Sequence, residues 1–104
     1  MCHPAAMDST TLESTSIESA AAGFSALGDP IRLRILAELR DGQRCVCELL
    51  EEIGIAPNLL SYHLRVLRDA GLVEASRRGR WVDYRLADRG LDGLRAAIPS
   101  GEGG

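Results

Sequence analysis

Two cysteines separated by one residue, Cys45 and Cys47, are the side chains of this 104-residue chain whose type and spacing most directly suggest chemistry. Thiolates bind soft metal ions and react with oxidants, so the pair could form a metal site or a redox centre. Residues two apart point about 200° away from each other on a helix, whereas they share a face on an extended segment. We therefore place Cys45 before a helix and Cys47 at its N-cap, with Val46 turned into the core.

The positive end of that helix would favour the thiolate forms. The alternative is that the two cysteines are small buried hydrophobic side chains without a chemical role. Two thiolates leave a soft cation undercoordinated, so a metal site needs a further ligand. Cys2 and His3 are the candidates, unless the N-terminus is an arm without function or translation starts at Met7. A histidine third from the amine can also suit nickel or copper.

Length and composition predict one small cytoplasmic domain. A chain of 104 residues, 45% hydrophobic, is long enough for one core. No apolar run approaches the roughly 20 residues that span a bilayer, and the polar N-terminus is unlike a signal peptide, so no membrane partner is expected. The odd count of three cysteines makes a disulfide framework unexpected and favours a reducing compartment.

The charge of the chain is distributed unevenly. The formal net charge is −3, yet residues 57–89 hold seven arginines against four acids, while residues 1–56 hold four arginines against nine acids. Phosphate contact requires a local basic stripe rather than a basic average. The segment 57–89 therefore has the charge that a nucleic-acid partner needs.

Apolar periodicity and capping residues predict a winged helix-turn-helix, mainly α with a small β-hairpin. A first helix runs from about Thr11 to Leu27, and a second begins at Asp29-Pro30 and is closed by Gly42. The third is short, follows Cys47 and ends near Gly54, and the fourth covers about 57–70. Apolar and polar residues alternate over 72–76 and 81–86, which predicts two strands of a hairpin that turns at Gly79. A last helix carries Leu91, Leu94 and Ile98.

This organisation predicts a flexible N-terminal arm over residues 1–11, a DNA-binding and dimerisation domain over 12–98, and a flexible tail over 99–104. The fourth helix has the donors and acceptors to enter a major groove, and the hairpin could hold a backbone or minor groove. A single arginine is usually a solvated surface charge, but several arginines at the tip of one hairpin favour contact with DNA. The candidate DNA-binding residues are Asn58, Ser61, Tyr62, His63, Arg65, Arg68, Arg77, Arg78 and Arg80. His63, at the border of the apolar stripe, could equally be a packed residue.

Four stretches carry a family resemblance over roughly residues 20–90: LGDPIRLRIL (27–36), RCVCELLEEIGI (44–55), LLSYHLRVLRDAGLV (59–73) and RRGRWVDYRL (77–86). In this order they resemble the ArsR/SmtB family of metal-responsive repressors. The resemblance implies a homodimer paired through the first and last helices that binds palindromic double-stranded operator DNA. It also implies that a metal or metalloid ion at Cys45 and Cys47, helped by Cys2 and His3, releases the DNA.

The family pattern is followed only in part. Cys45-Val46-Cys47 is similar to the thiolate pair of arsenite, cadmium, lead and zinc sensors, but Leu50 stands where the arsenite version has a third cysteine. We expect arsenite first, then cadmium, lead or zinc. Residues 87–104 contain neither His nor Cys, so the zinc site of other relatives should be absent. Ala56 and Leu59 replace commonly polar residues, which leaves the base preference open.

Two other functions fit the same residues less well. The cysteines could make the DNA-binding protein a sensor of redox or sulfur species, or of nickel or copper. A small thiol enzyme is the third hypothesis, but no phosphate-cradling loop follows either cysteine and no base is paired with one. We therefore predict that the chain is not an enzyme.

Overall fold

The computed structural model describes residues 16–101. The predicted arm 1–11, the first predicted domain residues and positions 102–104 lie outside this range. The elements in order are α1 (16–27), α2 (Pro30–Glu38), β1 (Arg44–Cys45), α3 (Val46–Ile53), α4 (Pro57–Asp69), β2 (Val73–Arg78), β3 (Trp81–Leu86) and α5 (Asp88–Ala97). The predicted fold class is confirmed. Across residues 16–101, every helix is too short or too polar to cross a lipid bilayer.

The predicted start of α2 is confirmed. The Asp29 carboxylate accepts hydrogen bonds from the backbone N–H groups of Ile31 at 2.8 Å and Arg32 at 3.2 Å, and Pro30 occupies the first turn. Desolvation raises the pKa of the Asp29 carboxyl, but these bonds and the nearby Arg32 charge outweigh it, so the pKa is lowered. The cap therefore depends on an ionised Asp29.

The boundaries on either side of β1 differ from the prediction. Helix α2 ends at Glu38 rather than close to Gly42, and the Glu38 carbonyl accepts a bond from Arg44 Nε at 3.1 Å. Cys45, not Cys47, is the N-cap of α3, so Cys47 lies inside the first helical turn. The placement of Cys47 at the cap was wrong because Cys45 already ends a strand and turns the chain. Val46 packs against the core as predicted.

The helix-turn-helix is built by α3 and α4. Gly54 ends α3 with φ +72°, a left-handed conformation that glycine adopts without strain, and Pro57 begins α4 as predicted. Ala56 caps α4 without a side-chain hydrogen bond. The turn between Gly54 and Pro57 therefore orients α4 against α3.

A three-stranded antiparallel sheet in the order β1-β3-β2 forms the wing. The predicted hairpin pairs Val73 with Leu86 and Arg78 with Trp81, and Gly79 turns it with φ +63°. Strand β1 was not predicted. It pairs Cys45 with Asp83 and Arg44 with Tyr84, which joins the cysteine segment to the hairpin.

The core is aliphatic and lies beneath α4. Its largest fully buried side chains are Ile35, Leu39, Leu49, Leu60, Leu64, Leu67, Leu72 and Val73. Leu94 of α5 joins this cluster and packs so closely on Gly23 of α1 that a Cβ there would lie 2.7 Å from Leu94 Cδ2. The core therefore holds α4 by one face and leaves its other face outside.

Candidate nucleic-acid interface and cysteine site

The outward face of α4 is polar and accessible. Its exposed residues include Asn58, Ser61, Tyr62, Arg65 and Arg68. Within residues 16–101, neither of the two arginines forms an ion pair. All five are predicted DNA-facing residues, and the structure brings them onto one side of a single helix.

His63 is buried rather than outward, with 6% of its surface exposed. Arg32 Nη1 lies 3.0 Å from His63 Nδ1, and Arg32 Nε donates to the Ala26 carbonyl at 2.6 Å. A guanidinium can only donate, so Nδ1 accepts this bond. His63 therefore links α4 to α2 and leaves the proposed DNA-facing set, because its ring points away from the exposed face.

The three wing arginines do not have the same surroundings. Arg77, Arg78 and Arg80 are exposed, but Arg78 is held by Asp83 through bonds of 2.8 Å from Nε and 3.1 Å from Nη2. Such a bidentate, charge-assisted contact fixes the direction of the guanidinium. Only Arg77 and Arg80 extend from the hairpin without an ion pair among the described residues.

Asp83 is a buried acid, only 3% exposed, in the middle strand of the wing sheet. Besides Arg78, it accepts a hydrogen bond from Gln43 Nε2 at 3.2 Å. The hydrogen bonds from Arg78 lower the pKa of Asp83. Desolvation opposes this shift, and the positive charge of Arg78 adds to it. The same contact raises the pKa of Arg78. Asp83 is thus held ionised between the wing and the segment that leads to Cys45.

The cysteine pair lies where β1 becomes α3. The structure joins Cys45 and Cys47 as a disulfide, although the odd cysteine count had made such a pairing unexpected. Their sulfurs meet because Cys45 is still extended while Cys47 lies in the first turn of α3. The two side chains therefore share a side, as predicted, without a long strand. The Cys45 backbone N–H donates to Glu48 Oε1 at 2.9 Å.

The structure does not assemble the predicted metal site among the described residues. Two reduced thiols here would be two ligands of the soft type, but residues 16–101 contain no cluster of three His, Cys, Asp or Glu side chains that could hold an ion. The predicted ligands Cys2 and His3 lie outside the described residues. Leu50, at the position of the family's third cysteine, is half-buried against the core.

Sequence reasoning missed Arg32, Gln43 and Asp83. Asp83 had a usable signal, because it is the one acid in the alternating strand WVDYRL and follows three closely spaced arginines. Arg32 and Gln43 had no comparable local signal. Their partners, His63 and Asp83, lie 31 and 40 residues away along the chain.

The short helix pair α3–α4, followed by an arginine-bearing hairpin, defines a winged helix-turn-helix transcriptional regulator. Residues 29–75 match the family described as bacterial regulatory protein, arsR family. The chain belongs to this family, which consists of regulators rather than enzymes, so the thiol-enzyme hypothesis is rejected.

Known relatives agree in sequence and in structure. The chain is 43% identical over 75 residues to the transcriptional repressor SmtB of Mycobacterium tuberculosis, covering 72% of this chain and 56% of that protein. It is 43% identical over 72 residues to the arsenical resistance operon repressor of Bacillus subtilis, covering 68% and 69%. The chain thus spans little more than half of the first of these relatives.

A solved structure has the same fold. The solution structure of a homodimeric winged helix-turn-helix DNA-binding domain from Mycobacterium bovis, a possible ArsR-family regulator, matches with a TM-score of 0.72 and 33% identity. The match covers 81% of this chain and 76% of that domain.

Proposed function

We propose that this protein is a homodimeric repressor that binds palindromic operator DNA and leaves it when a soft metal or metalloid ion binds cysteine thiolates. The observation that carries the proposal is the position of the cysteine pair. Cys45 ends β1 and caps α3, so the pair lies between the wing sheet and the reading helices. A change at the sulfurs would therefore act on both DNA-facing elements.

The exposed face of α4 supports reading of a major groove. Arg65 can donate two bonds to a guanine edge, and the Asn58 amide can pair with an adenine edge. Arg68 is available for a flanking phosphate, while Arg77 and Arg80 can hold the backbone or the adjacent minor groove. Such a DNA partner would place the protein's action in the cytoplasm.

A homodimer would bring two such faces to one site. Helices α1 and α5 pack together and leave Ile17, Phe24 and Ile98 exposed, which are apolar side chains that a second subunit could cover. The M. bovis relative with the same fold is homodimeric. A two-fold dimer would present its recognition helices to half-sites about one DNA turn, roughly 34 Å, apart.

The ion site would use Cys45 and Cys47, completed by Cys2 and His3 of the same or the other subunit. Sulfur ligands favour soft ions, so arsenite is expected first, followed by cadmium, lead or zinc. The arsenical repressor of B. subtilis is a relative consistent with this order. If the ion prefers the DNA-free conformation 100-fold, operator binding weakens by about 2.7 kcal/mol.

The test is operator release followed by fluorescence anisotropy at fixed salt. A duplex selected by the protein from a randomised pool is titrated with reduced protein, then with arsenite, cadmium, lead, zinc or nickel. We expect one soft ion to release the wild-type protein but not the Cys45→Ser/Cys47→Ser variant. A Cys2→Ser variant reports separately on the arm, and an equal response of the double variant would refute the cysteine site.

A redox sensor is the second candidate, favoured by the pairing of Cys45 with Cys47. Two thiols would lose two protons and two electrons to form the disulfide, while a hydroperoxide is reduced to water and an alcohol. The test is peroxide treatment in chelator-treated buffer. Loss of DNA binding that dithiothreitol reverses would support the redox sensor. Unchanged DNA affinity would reject it and leave the ion sensor as the remaining candidate.

A further inference from the structure

The single tryptophan of the chain lies on the surface at the tip of the wing. Trp81 begins β3, is 51% exposed, and pairs with Arg78 at the last register position before the turn at Gly79. Tryptophan side chains are largely covered in most folded proteins, and they are enriched where two molecules meet. Half of the largest apolar side chain of the protein is therefore available to a partner.

The ion pair of the wing leaves the indole ring uncovered. Residues that face each other on antiparallel strands put their side chains on the same face of the sheet, so Arg78 and Trp81 are neighbours. The Arg78 guanidinium nevertheless bonds to Asp83, at 2.8 and 3.1 Å, and Asp83 lies two residues farther from the turn than Trp81. Arg78 is thus directed towards the middle of the sheet, and Trp81 stays exposed at its end.

The charges around the ring indicate the chemistry of the partner. Residues 77–81, RRGRW, contain three arginines and no acid. Arg77 and Arg80 have no ion pair among the described residues, and the nearby Asp83 is buried and bound to Arg78. An aromatic ring between unpaired cations fits a polyanion that has apolar surface between its charges. The sugar–phosphate walls of a DNA minor groove have this composition.

The indole also has a polar edge that can distinguish base pairs. Its Nε1–H group can only donate a hydrogen bond. In the minor groove an A·T pair presents only acceptors, whereas a G·C pair adds the donor amino group of guanine. A donor in this groove is satisfied by A·T and meets another donor at G·C. Trp81 would therefore favour A·T.

We infer that Trp81 is a specificity-determining residue for DNA binding. Its ring packs between the walls of the minor groove beside the major groove read by α4, and its Nε1–H selects A·T pairs there. Arg77 and Arg80 hold the phosphates on either side. The inference rests on the DNA binding of the proposed function and is independent of the ion site.

Three variants separate the contact from the base selection. Trp81→Ala removes both the ring and the donor, whereas Trp81→Phe keeps an apolar ring without the donor. Leu33→Ala is the matched control, because Leu33 is 52% exposed and lies on α2, outside both DNA-facing elements. Thermal unfolding verifies the fold of each variant, and sedimentation compares their oligomeric states.

The experiment measures DNA affinity by anisotropy of a labelled duplex, using the full chain, reduced and without added ions. The duplexes are the selected one and a series in which each A·T pair in turn becomes G·C or inosine·cytosine. Inosine lacks the amino group that guanine places in the minor groove. Acrylamide quenching of the intrinsic tryptophan fluorescence, with and without DNA, reports on Trp81 alone because the chain has no other tryptophan.

We expect Trp81→Ala to weaken binding of the selected duplex by at least about fivefold, and Leu33→Ala by less than about twofold. For the wild type, G·C at a position beside the major-groove site should weaken binding by about fivefold or more, and inosine·cytosine should restore it. Trp81→Phe should keep most of the affinity and lose this discrimination. DNA should protect wild-type Trp81 from acrylamide.

Unchanged affinity of Trp81→Ala, or equal quenching of Trp81 with and without DNA, would overturn the inference and leave DNA binding by α4 standing. The selection of A·T would be refuted if Trp81→Phe discriminated like the wild type, or if inosine·cytosine restored binding at no position. A changed oligomeric state of Trp81→Ala would assign the ring to a second copy of the chain, against the inference. A wild-type protein that binds no duplex would overturn the proposed function as well.

Discussion

The outward face of α4 and the wing both carry arginines, but different forces hold the two regions in place. Helix α4 rests on Leu60, Leu64 and Leu67, which are buried in the aliphatic core. In the wing, Arg78 is directed by the Asp83 carboxylate. Apolar burial responds little to a nearby charge, whereas an ion pair responds directly. The position of α4 is therefore set by packing that a nearby charge changes little, whereas the direction of Arg78 in the wing depends on an ion pair.

The largest expected effect comes from removing the support of α4. Leu60→Ala should lower the free energy of unfolding by about 2–5 kcal/mol, because it leaves a cavity in the core. The neighbouring Leu59 is 42% exposed, so Leu59→Ala should change it by only about 0.5 kcal/mol. Urea unfolding of the reduced protein at one concentration measures both, and equal losses would contradict core support of α4.

A smaller loss of stability is expected at the link between α2 and α4. Arg32→Met removes the donor to His63 and to the Ala26 carbonyl, and leaving such groups unpaired costs about 1–3 kcal/mol. Arg34→Met is the matched control on the exposed side of α2, with an expected change of about 0.5 kcal/mol. Thermal unfolding compares them. An Arg32 variant as stable as the control would show that the link is dispensable.

The two regions should also differ in what they contribute to DNA affinity. Arg65→Gln should weaken the selected operator by about 1–3 kcal/mol and relax preference at one base pair. Arg77→Gln should weaken all duplexes alike and reduce the salt dependence by about one unit. Anisotropy titrations over a salt series distinguish the two. Arg95→Gln on α5 is the control for lost charge, and an effect as large as that of Arg65→Gln would contradict base reading by α4.

The smallest effect is acid sensitivity, to which two carboxylates contribute: Asp29 at the N-cap of α2, and Asp83 in the wing. The pKa values of Asp29 and Asp83 both lie below the ordinary 3.8 in the folded chain. The two ionised carboxylates therefore stabilise the folded state fully above about pH 3.8. This contribution is lost as the pH falls through their lower pKa values in the folded chain. Asp29→Asn and Asp83→Asn should each flatten the decline in stability below pH 3.8. Unfolding curves measured down this range check it, and unchanged slopes would argue against ionised native carboxylates.

Local patterns were sufficient for most of the elements. Alternation around Gly79 predicted the hairpin, and Asp29-Pro30 and Pro57 located the starts of α2 and α4. Strand β1 was missed because two residues are too few to show a period. The N-cap of α3 was predicted at Cys47, two residues late. Cys45 takes this position because its extended backbone pairs with Asp83, which is distant in the sequence.

The sequence by itself determined which face of α4 is polar and which residues cap and turn the chain, because these depend on neighbours within a few positions. Tertiary structure alone decided that His63 turns inward to Arg32, and that Asp83 lies between Arg78 and the strand of Cys45. His63–Arg32 and Asp83–Cys45 are contacts between residues about 30 to 40 positions apart, chosen by packing and sheet register. No local period encodes such a choice.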